Sequence, residues 1–128
     1  MLNVARRELG SDQQRVSLIQ ADAMALPFAS NSFPLVICLE ALEFLPDPRQ
    51  GLAELVRVLQ PASPTQPYTG WLLFSNRIGW EARLMPGKTW SREKLAAILR
   101  NLPLRRIKVQ VWQSIYDLVW AQKVALPM

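Results

Sequence analysis

The chain has 128 residues, half of them hydrophobic, and carries 15 Lys and Arg against 10 Asp and Glu. That length supports one domain, residues 1–128, with a real core and excludes two ordinary ones. There is no histidine and only one cysteine, which excludes His-dependent triads, the commonest metal ligand and general base, an internal disulfide and any cysteine-rich metal site.

The charge is uneven. Residues 1–70 hold five basic and seven acidic side chains, a balance of −2, and residues 71–128 hold ten basic and three acidic, a balance of +7. The basic half either faces an anionic partner or forms a solvated cationic surface. The longest apolar stretch, Leu35 to Leu45, is interrupted by Glu40 and Glu43, far short of the roughly 18 apolar residues of a membrane helix. The N-terminus is charged within its first turns and shows no signal-peptide pattern, so a cytoplasmic location is expected.

In chain order, "LNVARRELG" places Leu2, Ala5 and Leu9 at helical spacing, with Gly10 where a left-handed C-cap falls. Val16, Leu18 and Ile19 predict a short strand ending near Gln20 to Asp22. "LVICL", Leu35 to Leu39, is apolar on both faces and predicts a central parallel strand covered by helices on both sides, with Cys38 as a buried structural thiol. Asp47 as N-cap, Pro48 at the first helical position, and Leu52, Leu55, Val56 and Leu59 predict a helix ending before Pro61.

A Pro-rich loop over 62–69 leads into "GWLLFSN", a further strand. Ser91 caps a helix running to about Asn101, with Leu95, Ile98 and Leu99 as its buried stripe. "LRRIKVQVW" and "YDLVWAQKVAL" then read as an antiparallel hairpin linked at Gln113 to Ile115. The elements add up to an α/β fold, a mostly parallel open sheet with a C-terminal hairpin and flanking helices.

The order "DAMALPFASNSF", "LVICLEALEFLPDP", "LAELVRVLQP" and then "GWLLFSN" resembles the S-adenosylmethionine-dependent methyltransferases of the Rossmann-like class, methyltransferase type 11. Those proteins carry an Asp-Ala pair, Leu-Pro-Phe, a Ser-Phe-Asp strand start, Leu-x-x-x-Pro-Asp, a Glu-x-x-Arg-Val-Leu helix end and a Pro-Gly-Gly turn. The resemblance covers Ala21 to Asn76. It implies S-adenosylmethionine as cofactor, with Asp22 accepting from the adenine amino group, Ala23 and Leu26 beside the ring, and Leu39 and Glu40 beside the methionine and sulfonium part. Strand ends of open α/β sheets are where ligands sit. Read without the resemblance, Asp22 is a turn or helix cap and Glu40 an exposed acid at a helix start.

Three departures stand out. Pro34 replaces the aspartate of the strand start, and Pro61, a longer loop and Gly70 replace the Pro-Gly-Gly turn. The glycine-rich loop and the ribose-binding acid have no counterpart, because "MLNVARRELG" corresponds to the helix after the second strand of the family. The chain is then the C-terminal portion of the family core, lacking its first two strands.

The expected function is methyl transfer to a small molecule, with activity of this chain by itself in question and no catalytic base named. The other reading is a non-catalytic remnant serving as an interaction module. With its neighbours missing, the strand Val16–Gln20 is expected to pair in parallel with Leu35–Leu39, and an exposed apolar face and edge to favour a homodimer. No nucleic-acid motif accompanies the basic residues, so nucleic acid is the least favoured partner. "NRIGWEARLMPGKTW", Asn76 to Trp90, fits either a lid over an anionic or aromatic acceptor or a plain surface connection.

Overall fold

The chain is described by a computed structural model covering residues 2–125. A helix α1, Leu2–Leu9, runs into a 3₁₀ turn at Gly10–Arg15, with Gly10 at φ +53° as the left-handed link. The next ordered element is strand β1, Leu35–Cys38, which lies parallel to β2, Trp71–Arg77, in the register Leu35 to Trp71 through Cys38 to Phe74. Helix α2, Pro48–Val58, makes the crossover between them. Asp47 caps it by accepting from the Gln50 N–H at 3.2 Å, and Pro48 opens it, as the spacing predicts.

Helix α3, Arg92–Arg100, is capped by Ser91, whose Oγ accepts from the Lys94 N–H at 3.2 Å. Strands β3, Leu104–Trp112, and β4, Tyr116–Lys123, form the hairpin, turned by Gln113 and Ser114 at φ +53° and +63°. Two consecutive left-handed residues match the twist of a hairpin. The sheet order is β1-β2-β4-β3. Leu72 and Phe74 of β2 and Val119 of β4 pack with Leu52, Val56 and Leu59 from the α2 side and Leu95, Ile98 and Leu99 of α3 as one core.

Three expectations are corrected. The sheet is not mostly parallel: only β1 and β2 pair that way, because α2 is the single crossover and the hairpin adds two antiparallel strands. Residues 16–20 form no strand and do not pair with β1. Val16 and Ile19 are exposed, and the chain beyond them is committed to α2 instead, through Leu26 and Phe28.

Finally, β1 is covered on one face only. Val36 and Cys38 pack on the core, while Leu35 and Ile37 are 50% and 55% exposed. Cys38 is half-buried, and burial together with the nearby Glu43 carboxylate pushes its thiol pKa up, in keeping with a structural thiol.

Candidate functional site

The segment after residue 20 is a turn built by its own aspartate. Asp22 Oδ1 accepts from the Met24 N–H at 2.9 Å and the Asp22 carbonyl from the Ala25 N–H at 3.0 Å, an Asx turn of the kind Asp favours. Its second carboxylate oxygen takes no hydrogen bond among the described residues, and the side chain is exposed. The capping reading of Asp22 is therefore correct, and it leaves one acceptor atom facing outward. Ala23 follows, half-buried, on the same turn.

Leu26 is fixed by helix α2. Its N–H donates to Glu54 Oε1 at 2.8 Å and its carbonyl accepts from Arg57 Nη2 at 3.0 Å, while Arg57 Nη1 reaches the Phe28 carbonyl at 2.8 Å. Glu54 and Arg57 are themselves ion-paired, with Nη2 to Oε1 at 3.1 Å. That pairing holds the buried Glu54 carboxyl below its usual range. The Glu-x-x-Arg spacing is thus a clamp on the Leu-Pro-Phe turn. Sequence reading noted the motif and missed its work, which the i, i+3 spacing of opposite charges signals.

At the end of β1, Glu40 sits at φ +55°, and its N–H donates to Ser75 Oγ of β2 at 2.7 Å. Leu39 and Glu40 are both exposed at this corner. The chain then turns through Leu42–Phe44 into the Asp47 cap of α2, whose Gln50 Nε2 donates to the Met24 carbonyl at 3.3 Å. The start of α2 therefore ties the Asp22 turn to the segment that follows Glu40. A cleft of about 500 Å³, lined by Leu2, Asn3, Arg6, Ile19, Gln20 and Ala21, ends one residue before Asp22. None of the five expected site residues is among its lining.

Next to Glu40 lies a buried acid that the sequence left unselected. Glu43 is 2% exposed, and Tyr116 Oη stands 3.5 Å from its Oε1. Burial and the Glu43 charge push the Tyr116 phenol up, while the Arg77 guanidinium, 5.4 Å from the ring centre, pulls the other way.

The segment from Asn76 to Trp90 is anchored rather than loose. Asn76 makes a two-way amide clamp with the Trp90 backbone at 2.7 and 3.0 Å, the Ile78 N–H donates to the Ile115 carbonyl at 2.8 Å, and Lys88 Nζ donates to the Leu45 and Pro46 carbonyls at 2.8 and 2.7 Å. Of the five tryptophans, Trp90 is in the core, Trp71 and Trp112 are half-buried, and Trp80 and Trp120 are exposed. Among the described residues no three His, Cys, Asp or Glu gather as metal ligands, and no helix is long and apolar enough to cross a membrane.

These residues partly fit an S-adenosylmethionine molecule. The free Asp22 oxygen suits an exocyclic amino group, and the Leu39–Glu40 corner lies at a strand's carboxyl end, where ligands of open sheets bind. The glycines, at 10, 51, 70, 79 and 87, make no glycine-rich loop to stand opposite them.

Residues 1–63 match the family "Methyltransferase domain". The chain is 48% identical over 61 residues to the demethylmenaquinone methyltransferase of Clavibacter sepedonicus, covering 48% of this chain and 24% of that protein. It is 34% identical over 102 residues to the demethylmenaquinone methyltransferase of Desulfitobacterium hafniense, covering 69% and 40%. It therefore spans well under half the length of these relatives.

Among solved structures, a SAM-dependent methyltransferase from Aquifex aeolicus superposes with TM-score 0.68 at 18% identity, over 95% of this chain and 63% of that one. At that identity the likeness speaks for the fold. The order of motifs, the family match over residues 1–63 and the fold agree: the chain has a Rossmann-like methyltransferase fold, and its first half is similar to the methyltransferase-domain family.

Proposed function

We propose that this chain forms the adenine-side wall and the acceptor-side floor of an S-adenosylmethionine-dependent methyl-transfer site for a small molecule, and that it works as a homodimer. The observation that carries the reading is the Asp22 turn, which spends one carboxylate oxygen on its own backbone and leaves the other outward. That oxygen accepts from the adenine amino group, Ala23 and Leu26 flank the ring, and Leu39 and Glu40 stand at the methionine end. The Glu54–Arg57 clamp keeps Leu26 in place against α2.

S-adenosylmethionine supplies an electrophilic methyl group on a sulfonium. Its transfer asks mainly for alignment and desolvation, so the absence of histidine does not exclude it. Relatives named for demethylmenaquinone make a phenolic or quinol-type ring a reasonable acceptor class to screen first.

Calorimetry tests the reading directly. Micromolar binding of S-adenosylmethionine or S-adenosylhomocysteine, weakened about tenfold or more by Asp22→Ala, is the expected result, since a hydrogen bond lost to a buried polar group is worth about 1–3 kcal/mol. No heat at millimolar ligand would overturn it. The second reading, an interaction module without catalysis, is favoured by the uncovered apolar face of β1, and a cooperatively folded chain that binds neither ligand would favour it.

A further inference from the structure

Beyond β2 the chain closes a cleft of about 680 Å³ between the strand end, the 3₁₀ turn Trp80–Leu84 and the start of α3. Three guanidiniums line it, those of Arg77, Arg83 and Arg92. Two carboxylates answer them. Asp117, fully buried, accepts from Arg92 at 2.9 and 3.3 Å, and Glu81 meets Arg77 Nη2 at 3.4 Å.

One positive charge is left over, on Arg83, which is exposed and has no ion pair among the described residues. Arg77 is itself incompletely satisfied: its Nε is buried without an acceptor, and its Nη1 meets only Met85 Sδ at 3.9 Å. The N-terminus of α3 adds partial positive charge at the same wall. Trp80, 70% exposed, also lines the cleft.

A large exposed ring and an uncompensated guanidinium lining one cleft match one ligand chemistry, a flat apolar ring that carries an acid. The ring stacks on the indole and the acid engages the guanidinium, both with the directional fit that Arg and aromatic rings supply. We propose that this cleft binds an aromatic carboxylate. It lies beside the expected donor end of the site: Ser75, which holds the Glu40 N–H, and Arg77 are two residues apart on one face of β2, about 7 Å along the strand. That this ligand is the methyl acceptor rests on the methyl-transfer reading above; that it binds does not.

The test uses the full ¹⁵N-labelled chain with no methyl donor present, titrated with benzoate, benzamide and inorganic phosphate while the Trp80 indole N–H is followed. Benzoate is expected to shift that resonance at least about tenfold more tightly than either control, the worth of one charge-assisted contact. Arg83→Gln, a change at an exposed and unpaired side chain, is expected to weaken benzoate about fivefold or more and leave benzamide unchanged.

Equal binding of benzamide or phosphate, indifference to Arg83→Gln, or no shift at millimolar benzoate would each overturn the proposal. Benzoate binding in a protein that ignores S-adenosylmethionine would keep the cleft and sink the methyl-transfer reading. The converse would sink the cleft alone.

Discussion

Gly70 is held at φ +85°, and a Cβ there would stand 2.7 Å from the Gln60 carbonyl oxygen and 2.9 Å from the Ala62 nitrogen. Both neighbours are backbone, and both are fixed. The Gly70 N–H donates to the Pro34 carbonyl, the Gly70 carbonyl accepts from the Lys123 N–H, and the Lys123 carbonyl accepts from Ala62. Gly70→Ala is therefore expected to cost at least about 2 kcal/mol, a fall of melting temperature on the order of 8 °C. A thermal melt indistinguishable from wild type would show that the 62–69 loop yields freely.

Gly70 was visible in the sequence as the residue closing the altered turn, as were the caps Asp47 and Ser91, because each acts on atoms within a few residues of itself. Asp117 and Lys123 were not. A charged residue in a polar-looking strand reads as surface, yet Asp117 is fully buried against Arg92, 25 residues away, and Lys123 Nζ is buried on the Val56 carbonyl, 67 residues away. No local pattern encodes such partners. The site residues divide in the same way: the Asp22 turn is local and legible as a cap, whereas the bond from Glu40 to Ser75 crosses strands and is not.

Helix α2 ties together parts of the chain that lie far apart in sequence. One side chain of its first turn reaches Met24, the Glu54–Arg57 pair holds Leu26 and Phe28, and Lys123 caps its last carbonyls through Val56 at 2.7 Å and Leu59 at 2.8 Å. Burial, with the charge of Arg57 nearby, pushes the Lys123 ammonium down, so its three short hydrogen bonds work against a desolvation cost.

For Glu54 the sign is the opposite. Its carboxyl is depressed by the Arg57 hydrogen bond first and the Leu26 N–H further on, so the folded state prefers it ionised. The stability this contributes is complete above the unfolded value near pH 4.3 (about the model-peptide figure) and is lost as the pH falls through the lower folded value. Denaturant unfolding across the acid range is expected to show a steeper loss in wild type than in Glu54→Gln, which has no such proton to take up. Parallel pH profiles for the two proteins would mean that the clamp is not coupled to folding.

At the scale of the whole molecule, the sheet is finished on one side and open on the other. β3 forms one edge with Ile107, Val109 and Val111 partly exposed but interleaved with Arg106, Lys108 and Gln110, and that alternation of charge guards an edge against pairing. β1 forms the other edge with no such guard: Leu35, Ile37 and Leu39 are 50%, 55% and 40% exposed, and the unpaired stretch with Val16 and Ile19 adds more apolar surface.

An apolar strand with a free edge is a template for a further strand. A second copy, its β1 set against the first in antiparallel fashion about a two-fold axis, covers both edges at once and closes the assembly, as an isologous contact does. The wild-type chain is thus expected to sediment as a dimer. Ile37→Lys, placed on the exposed side of β1 where substitutions usually change stability by about 0.5 kcal/mol or less, is expected to sediment as a folded monomer with unchanged circular dichroism. A wild-type chain that stays monomeric at every concentration, or an Ile37→Lys protein that still dimerises, would remove β1 from the interface and leave its open face to some other partner.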